Sequence, residues 1–165
     1  MSSNAYGPPP SARILVAATP TVRERLERVL AGHELTFADT TQDVMSLLTA
    51  ERFGMVIVSV HFDESQMFTL LGDIRAHSRY RKVPILCVLA QRGRLSEVAV
   101  EGLDHAVKAM TANGFLDLQR FPDDEAGNGR IRRIVDYLLL IDGDLQAISE
   151  VHELGRVTDR RSTTR

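Results

Sequence analysis

Hydrophobic positions along this chain follow two rhythms. Three short runs are almost purely apolar: Ile14-Leu15-Val16-Ala17-Ala18, Met55-Val56-Ile57-Val58 and Ile85-Leu86-Cys87-Val88-Leu89. Uncharged runs of this length, rich in branched residues, suit strands buried on both faces of a parallel sheet. Between them, apolar residues recur every three or four positions, the spacing of one helical face. The pattern predicts strands at 13–18, 34–38, 55–60, 84–89 and 115–118. It predicts helices at 20–30 (Val22, Leu26, Val29, Leu30), about 41–50 (Val44, Leu47, Leu48) and 66–76 (Met67, Leu70, Leu71, Ile74). A long fourth helix is expected over 94–112 and a fifth over 131–141. Thr19-Pro20 fits a cap followed by proline at the first helical position. Thr40 or Thr41 is expected to cap the second helix and Ser65 the third, with Asn113-Gly114 stopping the fourth.

Strands joined by helical crossovers imply a parallel sheet with helices on both faces, and right-handed crossovers leave only a few doubly wound topologies. The expected domain covers residues 12–141. Residues 1–11, with Pro8-Pro9-Pro10, have nothing to add to a core and read as a disordered lead. Past 141 the apolar spacing continues. Leu138, Ile141, Leu145, Ile148 and Val151 step by three or four, as in a helix-packing seam, so residues 142–154 are expected to form a helical extension. Gly143 weakens that helix by up to about 1 kcal/mol relative to alanine. Either the extension protrudes and packs on another chain, or it breaks at Asp142-Gly143 and folds back. Protrusion makes these five residues the candidate interaction surface, for a protein partner or a second copy. The tail, 155–165, holds four arginines against Asp159 and reads as flexible and solvated rather than nucleic-acid-binding.

Composition changes this picture little. The 165 residues are 44% hydrophobic and 25% charged, with a net charge of −2 and a pI near 6.2, which argues against a general nucleic-acid surface. The single cysteine, Cys87, lies mid-strand, where it is expected to be a buried small hydrophobe. No apolar run approaches the roughly 20 residues that cross a bilayer. The N-terminus lacks a signal-peptide pattern, so a cytoplasmic location is expected.

The landmarks resemble the receiver domain of bacterial response regulators over about residues 12–141. Ile14-Leu15-Val16-Ala17-Ala18 stands where a receiver has a strand and an acidic pair. Met55-Val56-Ile57-Val58-Ser59 stands where a strand ends in the phosphoacceptor aspartate. Val83-Pro84-Ile85-Leu86-Cys87-Val88-Leu89-Ala90 matches the strand ending in a hydroxyl residue. Asn113-Gly114-Phe115-Leu116-Asp117-Leu118 matches the strand carrying an aromatic switch residue and a lysine. The resemblance implies a flavodoxin-like fold with strand order 2-1-3-4-5. It also locates the departures. Ala17 and Ala18 replace the magnesium-holding pair, and Mg²⁺ needs oxygen ligands. Ser59 replaces the acceptor, Leu89 the hydroxyl, and Leu118 the lysine. Phe115 alone keeps its receiver role. These substitutions describe a pseudo-receiver with no catalytic residue, metal or cofactor.

Relocated chemistry has few candidates. His61, Asp63 and Glu64 lie just past Ser59, where a parallel sheet has its functional crevice, but they read first as a loop. Asp39 is a single carboxylate, and Asp123-Asp124-Glu125 reads as a solvated acidic loop. The sequence holds no Gly-x-Gly-x-x-Gly, phosphate loop or Gly-x-Ser-x-Gly elbow. The expected function is phosphorylation-independent regulation by protein–protein contact through the fourth helix, fifth strand and final helix, with self-association. The alternative is a small-ligand sensor with an apolar pocket among Ala17, Ala18, Ser59 and Leu89.

Overall fold

A computed structural model describes residues 11–140. The expectations for 1–10 and 141–165, including Ile141, Leu145, Ile148, Val151 and the basic tail, lie outside the described residues. Within them, strands β1 (Arg13–Ala17), β2 (Glu34–Ala38), β3 (Met55–Ser59), β4 (Ile85–Leu89) and β5 (Gly114–Asp117) alternate with helices α1 (Pro20–Val29), α2 (Thr41–Ala50), α3 (Met67–Ala76), α4 (Glu97–Ala109) and α5 (Glu125–Leu140). The strands are parallel, in the order β2-β1-β3-β4-β5. This is the flavodoxin-like, receiver fold.

Strand position explains strand composition. β3 is central, and all five of its residues are buried. β2 is an edge strand and buries only Ala38 fully. Alternate side chains divide between two layers. Leu15, Ala17, Val56, Val58, Cys87 and Leu89 pack with α2, α3 and α4. Ile14, Val16, Met55, Ile57, Leu86 and Val88 pack with α1 and α5. Truncating any of these larger side chains to alanine would cost about 2–5 kcal/mol. Burial pushes the Cys87 thiol up to about 12, so it behaves as an inert hydrophobe.

Several boundaries depart from the sequence reading. α4 spans Glu97–Ala109 instead of 94–112, because Ser96 Oγ accepts from Ala99 N at 3.2 Å and starts the helix there. The helix is thus six residues shorter than expected at this crossover. Its end is set by Thr111, in the left-handed region at φ 66°, rather than by Asn113-Gly114. Gly114 begins β5, and Asn113 is buried with its Oδ1 accepting from Ile85 N at 2.9 Å. α5 begins at Glu125, six residues early, and takes in Gly127 and Gly129. Asp124 Oδ1 accepts from Gly127 N at 2.7 Å and holds that first turn. A Cβ on Gly127 would lie 1.9 Å from the Pro122 carbonyl oxygen, so the chain passes there only without a side chain. Ser65 does not cap α3: Gln66 occupies that position, without a side-chain cap bond. Thr40 rather than Thr41 caps α2, its Oγ1 accepting from Asp43 N at 3.1 Å.

One arginine stitches the α3 layer together. Arg75 donates to Val83 O and Thr111 O, each at 2.7 Å, and to Thr111 Oγ1 at 2.8 Å and Asn113 Oδ1 at 3.1 Å. Burial lowers its pKa. Five donors in a fixed fork let one side chain tie α3 to both ends of the α4 crossover.

Candidate functional site

The crevice of an open parallel sheet lies beyond the carboxyl ends of its strands, near the point where strand order reverses. Here that point lies between β1 and β3. Ala17 is level with Val58, Ser59 with Val88 and Leu89 with Asp117, so the expected site positions do converge along one edge. Their side chains do not form an apolar pocket. Ala17 and Leu89 have no exposed surface and turn into the α2/α3/α4 layer. Ala18 turns into the opposite layer. Leu118 lies in a 3-10 turn, Leu118–Arg120, and packs toward α1 and α5. Phe115 packs against the α4 side. The pleat sends successive residues to opposite faces, so a set aligned in sequence is divided in space.

Of that set Ser59 alone lines the cavity described next. It is 1% exposed, and its Oγ accepts from Thr19 N at 3.3 Å. Beside it lies a cavity of about 190 Å³ lined by Thr19, Thr21, Ser59, His61, Ala90 and Gln91. Every polar group in this lining is formally uncharged when histidine is neutral. The Asp39 carboxylate, at the end of β2, pairs instead with Arg23, whose Nη2 also donates to Ala38 O at 2.8 Å. Asp63 points elsewhere too: its Oδ2 accepts from Thr41 N at 2.8 Å and so caps the first turn of α2. Among the described residues, no three His, Cys, Asp or Glu side chains stand close enough to hold a metal ion. His61, Asp63 and Glu64 therefore do not converge as a site.

The β3–α3 loop is strained. Asp63, Glu64 and Ser65 have φ of 45°, 56° and 66°, three consecutive non-glycine residues in the left-handed region. Each costs on the order of 1 kcal/mol relative to a right-handed conformation. The buried Phe62 ring and the Asp63 cap on α2 hold the loop down.

Charge has gathered at the other end of the same edge. Asp117 is 5% exposed at the end of β5. Arg92 Nε and Nη2 both lie 2.6 Å from its Oδ2. Arg92 also pairs with Glu97 in the first turn of α4, and Arg120 Nη2 meets Glu97 Oε2 at 2.9 Å. The hydrogen bond to Glu97, then that to Asp117, raises the Arg92 pKa. The bond from Arg92 lowers that of Glu97. Sequence reasoning missed this cluster. A carboxylate ending an apolar strand, with arginines on two adjacent loops, was the available signal. A buried carboxylate needs a partner.

Asp123, Asp124 and Glu125 are exposed, as expected, but two of them are paired and Glu125 begins α5. Arg28 Nη2 meets Asp123 Oδ2 at 2.7 Å, and this hydrogen bond and one from Asn128 hold the Asp123 carboxyl far below the usual range. Glu125 pairs with Arg132 at 2.9 Å. Leu138, expected as part of an interaction surface, is 1% exposed and belongs to the α1/α5 core. No helix among the described residues is long and apolar enough to cross a membrane.

No protein-family model matches the sequence, and no curated protein matches it. Solved structures do match the fold. A protein assigned as a response regulator from Chloroflexus aurantiacus J-10-fl superposes with a TM-score of 0.63 at 25% identity, covering 79% of this chain and 99% of that one. The chemotaxis response regulator CheY4 of Vibrio cholerae gives 0.59 at 23% identity, covering 74% and 98%. The receiver domain of a sensor histidine kinase from Pseudomonas aeruginosa PAO1 holds a magnesium ion in its active-site cleft. It gives 0.61 at 16% identity, covering 79% and 99%. The architecture that this chain shares with them is that of a response-regulator receiver domain.

Proposed function

We propose that this chain is a degenerate receiver: a non-catalytic signalling module that works by protein–protein contact, self-associates and does not depend on phosphorylation. One observation carries the reading. At the end of β3 stands a buried serine hydroxyl, and neither Ala17 nor Ala18 offers a carboxylate beside it. An acyl phosphate needs a carboxylate to form on, and a magnesium ion needs hard oxygen ligands. The signalling role rests on the shared architecture alone.

The contact face is that of α4, β5 and α5. Of the thirteen residues of α4, only Val100 and Val107 are buried, while Val98 is 77% exposed. Leu140, at the last turn of α5, is 68% exposed. In the sequence, Leu145 and Ile148 continue the spacing of Leu138 and Ile141 rather than that of Leu140. The test is sedimentation of the full chain with and without acetyl phosphate and Mg²⁺. A dimer that is lost in Leu145→Asp/Ile148→Asp, together with an intact mass unchanged by the phosphodonor, is expected. A monomer at all concentrations, or a phosphoryl adduct, overturns the reading.

A second reading, a small-ligand sensor, is favoured by the polar cavity beside Ser59. Its pocket is not the apolar one that the alanine and leucine substitutions suggested.

A further inference from the structure

We propose that the exposed cations Arg52, Arg79, Arg81 and Lys82 form a docking surface for the acidic segment 142–153 of the same chain, an interaction distinct from the self-association proposed above. The surface lies at the edge of the sheet where β3 and β4 begin, opposite the crevice.

These cations are gathered by hydrogen bonds that involve none of their own side chains. Arg52 follows α2, and Arg79, Arg81 and Lys82 lie between α3 and β4. Tyr80 is 2% exposed, and its hydroxyl donates to Glu51 O at 2.5 Å, which brings the two loops together. Arg75 fixes the second loop, donating to Tyr80 O at 3.2 Å and to Val83 O at 2.7 Å. Tyr80 is thus turned inward, while Arg79, Arg81 and Lys82 around it are exposed, as is Arg52.

None of the four side chains has a carboxylate partner among the described residues. Pairing is the habit elsewhere, as at Arg23, Arg28, Arg92, Arg120 and Arg132. The acids of this edge, Glu34 and Glu51, are both taken by Arg13. Unpaired like charges held side by side repel one another and attract a polyanion.

The chain itself supplies one. Near the end of α5, Leu139 Cδ2 stands 3.8 Å from where a Cβ on Gly54 would be, and Gly54 is two residues from Arg52. Residues 141–155 therefore set out beside the cations. They include Asp142, Asp144, Glu150 and Glu153 and no lysine or arginine. Even as a helix, 142–153 spans about 18 Å. A segment tethered this close has an effective concentration on the order of millimolar, which favours docking in its own chain. In the helical extension that the spacing predicts, Glu150 and Glu153 are three apart and share a face that Leu145 and Ile148 do not. The docked acids leave the apolar seam to a second copy.

The test is paramagnetic broadening in the full chain. Ser149→Cys carries a nitroxide that Cys87, buried and with its thiol pushed up to about 12, does not take up. The ¹⁵N-labelled, spin-labelled chain is diluted into an excess of unlabelled wild type, so that only contacts within one chain are read. The amides of Arg52, Arg79, Arg81 and Lys82 are expected to lose about half of their intensity or more relative to the reduced nitroxide, and to regain it at high salt. The loss should vanish in Asp142→Lys/Glu150→Lys/Glu153→Lys, whose changes lie outside the domain. It should vanish too in Arg79→Glu/Arg81→Glu/Lys82→Glu and return when the two sets are combined. Strand amides at wild-type positions show that each variant is folded. Broadening that is absent, or that survives both charge reversal and salt, overturns the proposal. Broadening seen only when the nitroxide sits on a second copy, added without ¹⁵N, also overturns it, since the segment then docks between molecules. The same holds if the nitroxide is silent while polyglutamate or duplex DNA shifts these four amides saturably, which assigns the edge to an acidic protein or to nucleic acid.

Discussion

Two ends of one sheet edge have been treated in opposite ways. Beyond β1 and β3 no charged residue lines the small cavity, which is bounded by Ser59, two threonines, His61, Ala90 and Gln91. Beyond β5 it has four charges in mutual contact, Asp117, Arg92, Glu97 and Arg120. A buried charge is tolerated when it is paired, and an unpaired one is costly. The β5 end meets that condition internally, and its arginines bind the start of α4 to the end of β5. The cavity at the β3 end is lined by no charged side chain. The comparison separates a place where electrostatics fastens the fold from one where the chain leaves hydrogen-bonding capacity unspent.

The largest expected effect comes from forcing charge into the uncharged end. Ser59→Asp should destabilise by about 3 kcal/mol or more, because the carboxylate would be buried without a partner. Urea denaturation measures this, and 10 mM Mg²⁺ should recover none of it. Recovery would mean that the crevice retains cation ligands. Next is the removal of charge from the charged end. Asp117→Asn should cost about 2 kcal/mol, between the values for exposed and fully buried pairs, since Arg92 is partly solvated. A change below about 0.5 kcal/mol would show that the cluster adds no fastening.

Smaller effects should sharpen the contrast. Raising sodium chloride from 0.05 to 1 M should weaken the wild type slightly, and Glu97→Gln should be less sensitive. Acid should give the same sign. The Glu97 carboxyl is held below its ordinary pKa by the hydrogen bond from Arg92. Its contribution is therefore complete above the unfolded value, near 4, and is lost as pH falls through the lower folded value. Between pH 6 and 3 the wild type should lose more stability than Glu97→Gln. Ser59→Ala should follow the wild-type profile, since it removes no titrating group.

The sheet was legible in the sequence because buried parallel strands need unbroken apolar runs, and 55–60 and 84–89 could hardly be anything else. Helix ends were less so. Ser96 set the start of α4, and a left-handed Thr111 set its end, neither of which periodicity weights. The start of α5 was hidden by Gly127 and Gly129, which resemble a loop until the close passage of Pro122 is known. At the site, alignment along the strands placed Ser59 correctly. It could not say which way Ala17, Leu89 and Leu118 face. Thr19, Thr21 and Gln91 lie outside the strands and acquire meaning only when β1, β3 and β4 are side by side. The Arg92–Asp117 pair spans 25 residues, a distance over which sequence spacing says nothing.

Gly127 carries a warning for anyone who later lines up related sequences. With the Pro122 carbonyl oxygen 1.9 Å from where a Cβ would stand, any chain that keeps this approach to α5 must keep glycine here. Such a column would look as constrained as a catalytic residue, in a segment close to the arginine-rich face of α5. Its invariance would record steric necessity alone. At Ser59 the constraint is burial and one hydrogen bond from Thr19 N, not a backbone contact, so variation there would be the more informative observation.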